Sequence, residues 1–266
     1  MAIKKLPKSK QVKKNEIPKN HRSFLAVLVL FAGFSLYAIT SFMTSNNNYI
    51  KKMFADVTSS DGQNAELSQV QRENPFSDLS DSHSNYQAIL ELYYKGVVSG
   101  YADNTFKADN KVNRAEFAKM LAEASDVDYA ALPSDKMTNC FNDVSIPGAW
   151  FEPSVCAAKY KGWVNGYEGG DFGVTRNISK AEGLKILEKA FGFAVPSNEG
   201  VKEMPYNDVH PGDWFVGAAQ AAKENGLVGK STVFIPGWEL TRADVAQVIY
   251  NAMKAKGLVN DIAKKG

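Results

Sequence analysis

The sequence predicts a mostly α-helical chain, with one apolar N-terminal helix followed by three helix–loop–helix repeats. Two observations carry this. Residues 24–43 form an uncharged run rich in Leu, Val, Phe and Ala. Beyond residue 73 a block of sequence then occurs three times, each copy ending in a short tetrad at the start of an apolar helical stretch: Asn113-Arg114-Ala115-Glu116, Ser179-Lys180-Ala181-Glu182 and Thr241-Arg242-Ala243-Asp244. A chain that repeats itself in this way is built from stacked units.

The N-terminal elements set the context. Between Met1 and Arg22 there are eight Lys or Arg and one Glu, a local charge of +7; against the net +2 of the whole chain this leaves −5 for residues 23–266. About 20 apolar residues suffice to cross a bilayer as a helix, and basic flanks stay in the cytoplasm. Residues 1–22 therefore read as a basic cytoplasmic segment and 23–43 as a transmembrane helix or signal anchor. A removable secretory signal is the alternative, with Ala38-Ile39-Thr40 as the nearest approach to a cleavage site. The basic arm has a membrane-flanking reason to exist, so no nucleic-acid partner is expected. Residues 44–73 are polar and read as a linker, at most roughly 100 Å at about 3.3 Å per residue and more typically about 30 Å as a coil.

The repeats span 74–125, 139–192 and 204–256, with a short tail at 257–266. Phe76-Ser77-Asp78-Leu79, Phe141-Asn142-Asp143-Val144 and Tyr206-Asn207-Asp208-Val209 lie 65 residues apart and read as short extended segments. Tyr86, Ile89, Leu90 and Tyr93 then form an i, i+3, i+4, i+7 stripe. Phe151, Val155 and Ala158 continue it in the second copy, and Phe215, Ala218, Ala219 and Ala222 in the third. Gly96, Gly162 and Gly226 suit the left-handed residue that follows a helix end. From that glycine to the basic residue of the tetrad is 18 positions twice and 16 in the third copy, so the last loop is two residues shorter. A second helix follows, with Phe117, Met120, Leu121 and Ala124 on one face, and Val245, Val248, Ile249, Ala252 and Met253 in the third copy. A unit of about 50 residues buries too little surface alone, so the three are expected to pack together.

The pattern Phe-x-Asp-Val, Trp, Gly-x-Val-x-Gly-Tyr, Phe, Thr-Arg-Ala-Glu resembles the surface-layer homology (SLH) domain over about residues 74–256. The resemblance implies three repeats in a pseudo-threefold spindle. It also implies non-covalent attachment to the cell envelope through secondary cell-wall polysaccharide, often carrying ketal-linked pyruvate, or another wall-associated polymer. With the membrane segment, the expected protein is a single-pass tether with its repeats outside the cytoplasmic membrane. Two other readings stand beside it: a protein-binding spindle that contacts surface-layer or envelope proteins, and a secreted wall-bound protein after signal cleavage.

Within the tetrad, Asn, Ser or Thr followed three residues later by Glu or Asp is a capping box. Capping does not need Arg114, Lys180 or Arg242, whose charge sits against the helix dipole. Either they grip an acidic polymer, where a guanidinium pairs with a carboxylate beside the N–H donors of the helix start, or they bridge units, with Asp78, Asp143 or Asp208 as partners. Trp150 and Trp214 begin the first helices of repeats two and three, as stacking platforms or as core; Asn85 stands there in repeat one. Gly100-Tyr101 and Gly166-Tyr167 match the family's loop dipeptide, replaced by Lys230-Ser231 in repeat three. Cys140 and Cys156 are the only cysteines. An even count in an exported chain points to a disulfide, with two separate buried thiols as the alternative.

No catalytic motif is present. His21, His83 and His210 are isolated, no cofactor is implied, and the Asp103–Glu116 stretch carries Lys107 where a calcium loop needs a ligand. The sequence reads as a non-enzymatic binding protein without a metal site.

Overall fold

The computed structural model describes residues 73–146 and 148–259. The basic segment, the apolar span and nearly all of the linker lie outside the described residues, as does most of the tail. Among the described residues no helix is long and apolar enough to cross a membrane.

Six α-helices follow in chain order: α1 (Tyr86–Tyr94), α2 (Arg114–Ala124), α3 (Glu152–Tyr160), α4 (Lys180–Ala190), α5 (Val216–Glu224) and α6 (Arg242–Ala255). They fall two to a unit, as the stripes predict. All three capping boxes form: Asn113, Ser179 and Thr241 accept from the N–H three residues on, and Glu116, Glu182 and Asp244 accept from the cap N–H in return.

The units are interlocked rather than stacked. The second helix of each packs on the first helix of the next: α2 on α3, α4 on α5, and α6 back on α1. The three second helices also touch one another around the centre. Phe117, Leu121, Leu184, Leu187, Val245 and Ile249 are almost wholly buried there. Closing the ring lets every amphipathic face find a partner, which no single unit can do.

A small backbone hub marks the centre of the ring. Val112 N–H donates to Leu240 O at 3.0 Å, Leu240 N–H to Ile178 O at 3.0 Å, and Ile178 N–H to Val112 O at 2.9 Å. These residues immediately precede the three caps, so the hub sets each second helix on its neighbour's loop. The Phe-x-Asp segments depart from the extended reading. Phe141 itself is extended, but Asn142–Val144 wind into a 3₁₀ turn, and Ser77-Asp78 likewise turn.

Cys140 and Cys156 form a disulfide across 16 residues, pinning the first residues of unit 2 to α3. Lys159 Nζ donates to the Cys140 carbonyl and Glu152 accepts from Asn139 N–H at the same join.

Candidate functional site

Each loop between the two helices of a unit is held by the aspartate of its own Phe-x-Asp turn. Asp78 accepts from the N–H groups of Phe106 and Lys107 at 2.7 and 2.8 Å. Asp143 accepts from Phe172, Gly173 and Val174 at 2.7, 2.7 and 3.0 Å. Asp208 accepts from Phe234 and Ile235 at 2.6 and 2.7 Å. Partial burial pushes the Asp143 and Asp208 carboxyls up, but the backbone donors outweigh it and hold both below the usual carboxylate value. The three aspartates thus shape the loops and do not pair with the tetrad's basic residues.

The loop of one unit receives the tetrad of the previous one. N–H groups of Arg114, Lys180 and Arg242 donate to Arg176, Trp238 and Asn110 carbonyls at 2.9, 2.8 and 2.8 Å. Those of Ala115, Ala181 and Ala243 donate to Val174, Pro236 and Ala108. With the capping box taking the third donor, the N–H groups expected to await an anion are already engaged.

The two arginines act as clamps in this arrangement. Arg114 is 6 % exposed; its Nε donates to Phe172 O at 2.9 Å, and it lies 4.7 Å from the ring centres of both Tyr167 and Phe172. Glu182 sits 3.5 Å from its Nη1 and accepts from the Tyr167 hydroxyl at 2.7 Å. Burial pushes the Glu182 carboxyl up, yet the Tyr167 and Ser179 hydrogen bonds and the Arg114 charge together hold it below its ordinary value. Arg242 repeats the clamp on unit 1, with Nε on Phe106 O at 2.9 Å, Nη2 on Ser99 O at 2.8 Å, and Tyr101 and Phe106 rings beside it. The guanidinium groups hold the neighbouring loop, and the salt bridge seen goes to Glu182 instead of an aspartate.

Lys180 differs. Its ammonium lies 5.0 Å from the Phe234 ring centre and, among the described residues, has no hydrogen-bond or ion-pair partner. Burial pulls its pKa down, opposed by the charges of Asp244 and Asp208. It lines a groove of about 280 Å³ with Asn85, Gly229, Ile235, Trp238, Gln247 and Asn251 among its walls.

The glycines of Gly100-Tyr101 and Gly166-Tyr167 answer to packing. A Cβ on Gly166, where φ is +76°, would lie 2.6 Å from the Phe141 ring and 2.7 Å from Asp171 O. One on Gly100 would lie 2.7 Å from the Phe76 ring. The tyrosines cover the arginines. Trp150 and Trp214, by contrast, are 55 % and 49 % exposed, each held edge-on by the following Phe151 or Phe215. Lys185 of α4 lies 4.9 Å over Trp214. The structure makes them surface platforms instead of core.

Trp238 is a further candidate that the repeat pattern hides, because Asn110 and Arg176 occupy its place in the other units. Its indole N–H donates to Asp244 at 3.0 Å, and the Lys111 ammonium caps its ring at 4.3 Å. The only sequence cue was an aromatic three residues before the tetrad. Among the described residues no cluster of His, Cys, Asp or Glu is placed to hold a metal ion.

The helix pairings define a closed ring of helical repeats, with the groove beside Lys180 lying between units. The family model of the S-layer homology domain matches two stretches of the chain, residues 75–118 and 141–182. It is 29% identical over 154 residues to Cell surface glycoprotein 1 of Acetivibrio thermocellus, a match covering 56% of this chain and 6% of that protein. The Cellulosome-anchoring protein of the same organism is 27% identical over 143 residues, covering 52% and 30%. S-layer protein sap of Bacillus anthracis is 27% identical over 185 residues, covering 68% and 22%. The chain thus spans less than a third of the length of each of these relatives.

Proposed function

We propose that this chain is a non-catalytic cell-envelope anchor, with residues 23–43 in the cytoplasmic membrane and the helical ring holding acidic wall polysaccharide in the grooves between units. On this reading residues 204–256 are a third repeat of the same family. Support comes from the repeated hub, clamp and capping contacts, and from relatives named as surface and anchoring proteins. The observation that carries the binding reading is the pair of half-exposed indoles, Trp150 and Trp214, fixed at helix starts. Sugar rings stack on rigid aromatic faces, and Lys185 over Trp214 adds a cation for an acidic substituent. Tyr101 and Tyr167 border the same grooves, while Arg114, Arg242 and the three aspartates act by shaping the loops.

The test is co-sedimentation of the full detergent-solubilised chain with purified wall polysaccharide. Trp150→Ala with Trp214→Ala is expected to abolish pelleting while the melting temperature holds. Unchanged pelleting would remove the stacking role. Retention on an envelope protein by a chain that ignores every wall fraction would favour the protein-binding spindle. For the membrane part, alkaline carbonate extraction is expected to leave the intact chain in the pellet; a shortened soluble form would favour signal cleavage.

A further inference from the structure

The loop of unit 3 presents an apolar ledge that its two counterparts lack. Val233 and Ile235 flank the buried Phe234, and Trp238 closes the next turn, its backbone N–H donating to Ile235 O at 3.1 Å. The three side chains are 40 %, 51 % and 48 % exposed. At the same places unit 1 has Thr105, Lys107 and Asn110, and unit 2 has Asp171, Gly173 and Arg176. Single apolar residues scattered on a surface need no explanation, but three from one short loop mark a contact.

Ile235 is the strongest sign. Its φ of +55° lies in the left-handed region, where a β-branched residue is strained. Asp208 holds that conformation by accepting the Ile235 N–H at 2.7 Å, and unit 2 meets the same demand with Gly173, at φ +81°. Backbone preference does not favour an isoleucine here, and core packing does not call for one that is half exposed.

Lysines border the ledge on both sides. Lys230 precedes it and is exposed, and the Lys111 ammonium lies 4.3 Å over the Trp238 ring. The nearby carboxylates are already engaged: Asp208 by two loop N–H groups, Asp244 by the Trp238 indole and Thr241 N–H, and Glu239 by the Asn177 amide. An indole and aliphatic side chains flanked by lysines suit the boundary between acyl chains and phosphate headgroups, with the ammonium groups reaching back to the phosphates. A second copy of the chain suits the ledge less well. Three half-exposed side chains fall well short of the roughly 800 Å² per partner of a stable protein interface, whereas a bilayer to which the chain is already tethered needs no such area.

We propose that the unit 3 loop rests on the bilayer surface, with Val233, Ile235 and Trp238 at the acyl boundary and Lys111 and Lys230 on anionic headgroups. This rests on the reading of residues 23–43 as a membrane span, which keeps the ring beside the bilayer. The contact singles out unit 3 as the membrane-facing side of the ring.

The test reconstitutes the full chain into phosphatidylcholine vesicles containing phosphatidylglycerol, with and without dibrominated acyl chains, and reads tryptophan emission. The four tryptophans of the chain are Trp150, Trp163, Trp214 and Trp238. Brominated chains are expected to quench the wild type. Trp238→Phe should lose that quenching, while Trp150→Phe and Trp214→Phe keep it. Ile235→Asn, which suits a left-handed backbone, should weaken the quenching without lowering the melting temperature, and omitting phosphatidylglycerol should weaken it too. An unquenched wild type, or full quenching in Trp238→Phe or Ile235→Asn, overturns the proposal. A dimer of the micelle-held chain that Ile235→Asn dissolves, with no quenching, also overturns it and gives the ledge to a second copy. Alkaline carbonate separates this proposal from the membrane span. A chain that resists extraction but is unquenched sinks the ledge and keeps the span, whereas one quenched through Trp238 yet stripped by carbonate keeps the ledge and sinks the span.

Discussion

Glu188 should make the protein less stable as the pH rises, and its removal should reverse this. The residue lies near the end of α4, is 0 % exposed, and neither carboxyl oxygen has a hydrogen-bond partner. The repeat explains why. In α6 the corresponding residue is Tyr250, whose hydroxyl accepts from Gln87 of α1, whereas α5 carries Gly217, which has no side chain to offer, at the place of Gln87. Burial pushes the Glu188 carboxyl from 4.5 up to about 9, opposed only by Lys185. The folded state therefore holds a proton that the unfolded state releases. Stability is fully present below the unfolded value and falls as pH rises from 4.5 to about 9. At about 1.4 kcal/mol per pH unit, the loss is about 3 kcal/mol by pH 7 and about 6 kcal/mol by pH 9. Glu188→Gln keeps the shape and the uncharged state, so it should match the wild type near pH 4 and exceed it by about 3 kcal/mol at pH 7, roughly 6–12 °C in melting temperature. Urea unfolding of both forms across pH 4–9, read by tryptophan fluorescence, isolates the group, since other titrations cancel in the difference. Parallel stability curves over that range would refute the reasoning and mean that the carboxyl reaches water or a partner.

Other substitutions probe the ring. Arg114→Ala should cost about 2–4 kcal/mol in urea unfolding, because it strips Phe172 O and Glu182 of their cation; a loss under 1 kcal/mol would argue against the clamp. Gly166→Ala should cost about 2–3 kcal/mol through its positive φ and the Phe141 clash, whereas Gly162→Ala, also at positive φ but in open space, should cost about 1 kcal/mol. Equal costs at the two glycines would deny the close approach. Reducing Cys140–Cys156 should lower stability by about 3 kcal/mol, read as a shift in urea midpoint against a Cys140→Ser, Cys156→Ser double variant that no longer responds to reductant.

The existence of the helices and the starts of α2, α4 and α6 were legible because capping boxes and apolar stripes are local in sequence, whereas α3 and α5 start two residues after Trp150 and Trp214, where the sequence placed them. Helix pairing was not. Nothing within unit 1 says that α1 rests on α6, because that contact joins the first unit to the last and depends only on closure. The same blindness affected the site. Local reasoning saw that capping leaves Arg114 without a task, but its partners, Phe172 O and Tyr167, belong to another repeat. Asp143 looked like a possible anion partner because its own loop N–H groups lie some thirty residues downstream. Lys180 looked like its two arginine counterparts by its place in the tetrad. It is the accessible one because a tyrosine is missing from a loop some fifty residues later.

The groove beside Lys180, groove 3 after the unit whose loop lines it, draws on all three units, and this bears on how the repeats work together. Groove 3 takes Lys180 from unit 2, its loop and α6 from unit 3, and Asn85 from unit 1. Around Arg114 the tetrad comes from unit 1 and the loop from unit 2, while Lys185 of unit 2 lies over Trp214 of unit 3. Arg242 of unit 3 likewise meets the loop of unit 1, and α2 of unit 1 packs on α3 of unit 2. No single repeat then completes this groove, and loss of any one of them removes a wall from it. Cutting the chain before Arg242 would also strip α1 of its partner, so residual binding by a two-unit fragment is not expected. Divergence, however, is cheap under this design. A change confined to one loop, such as the shortened one in unit 3, alters one groove while the hub and the helix pairings that hold all three stay as they are.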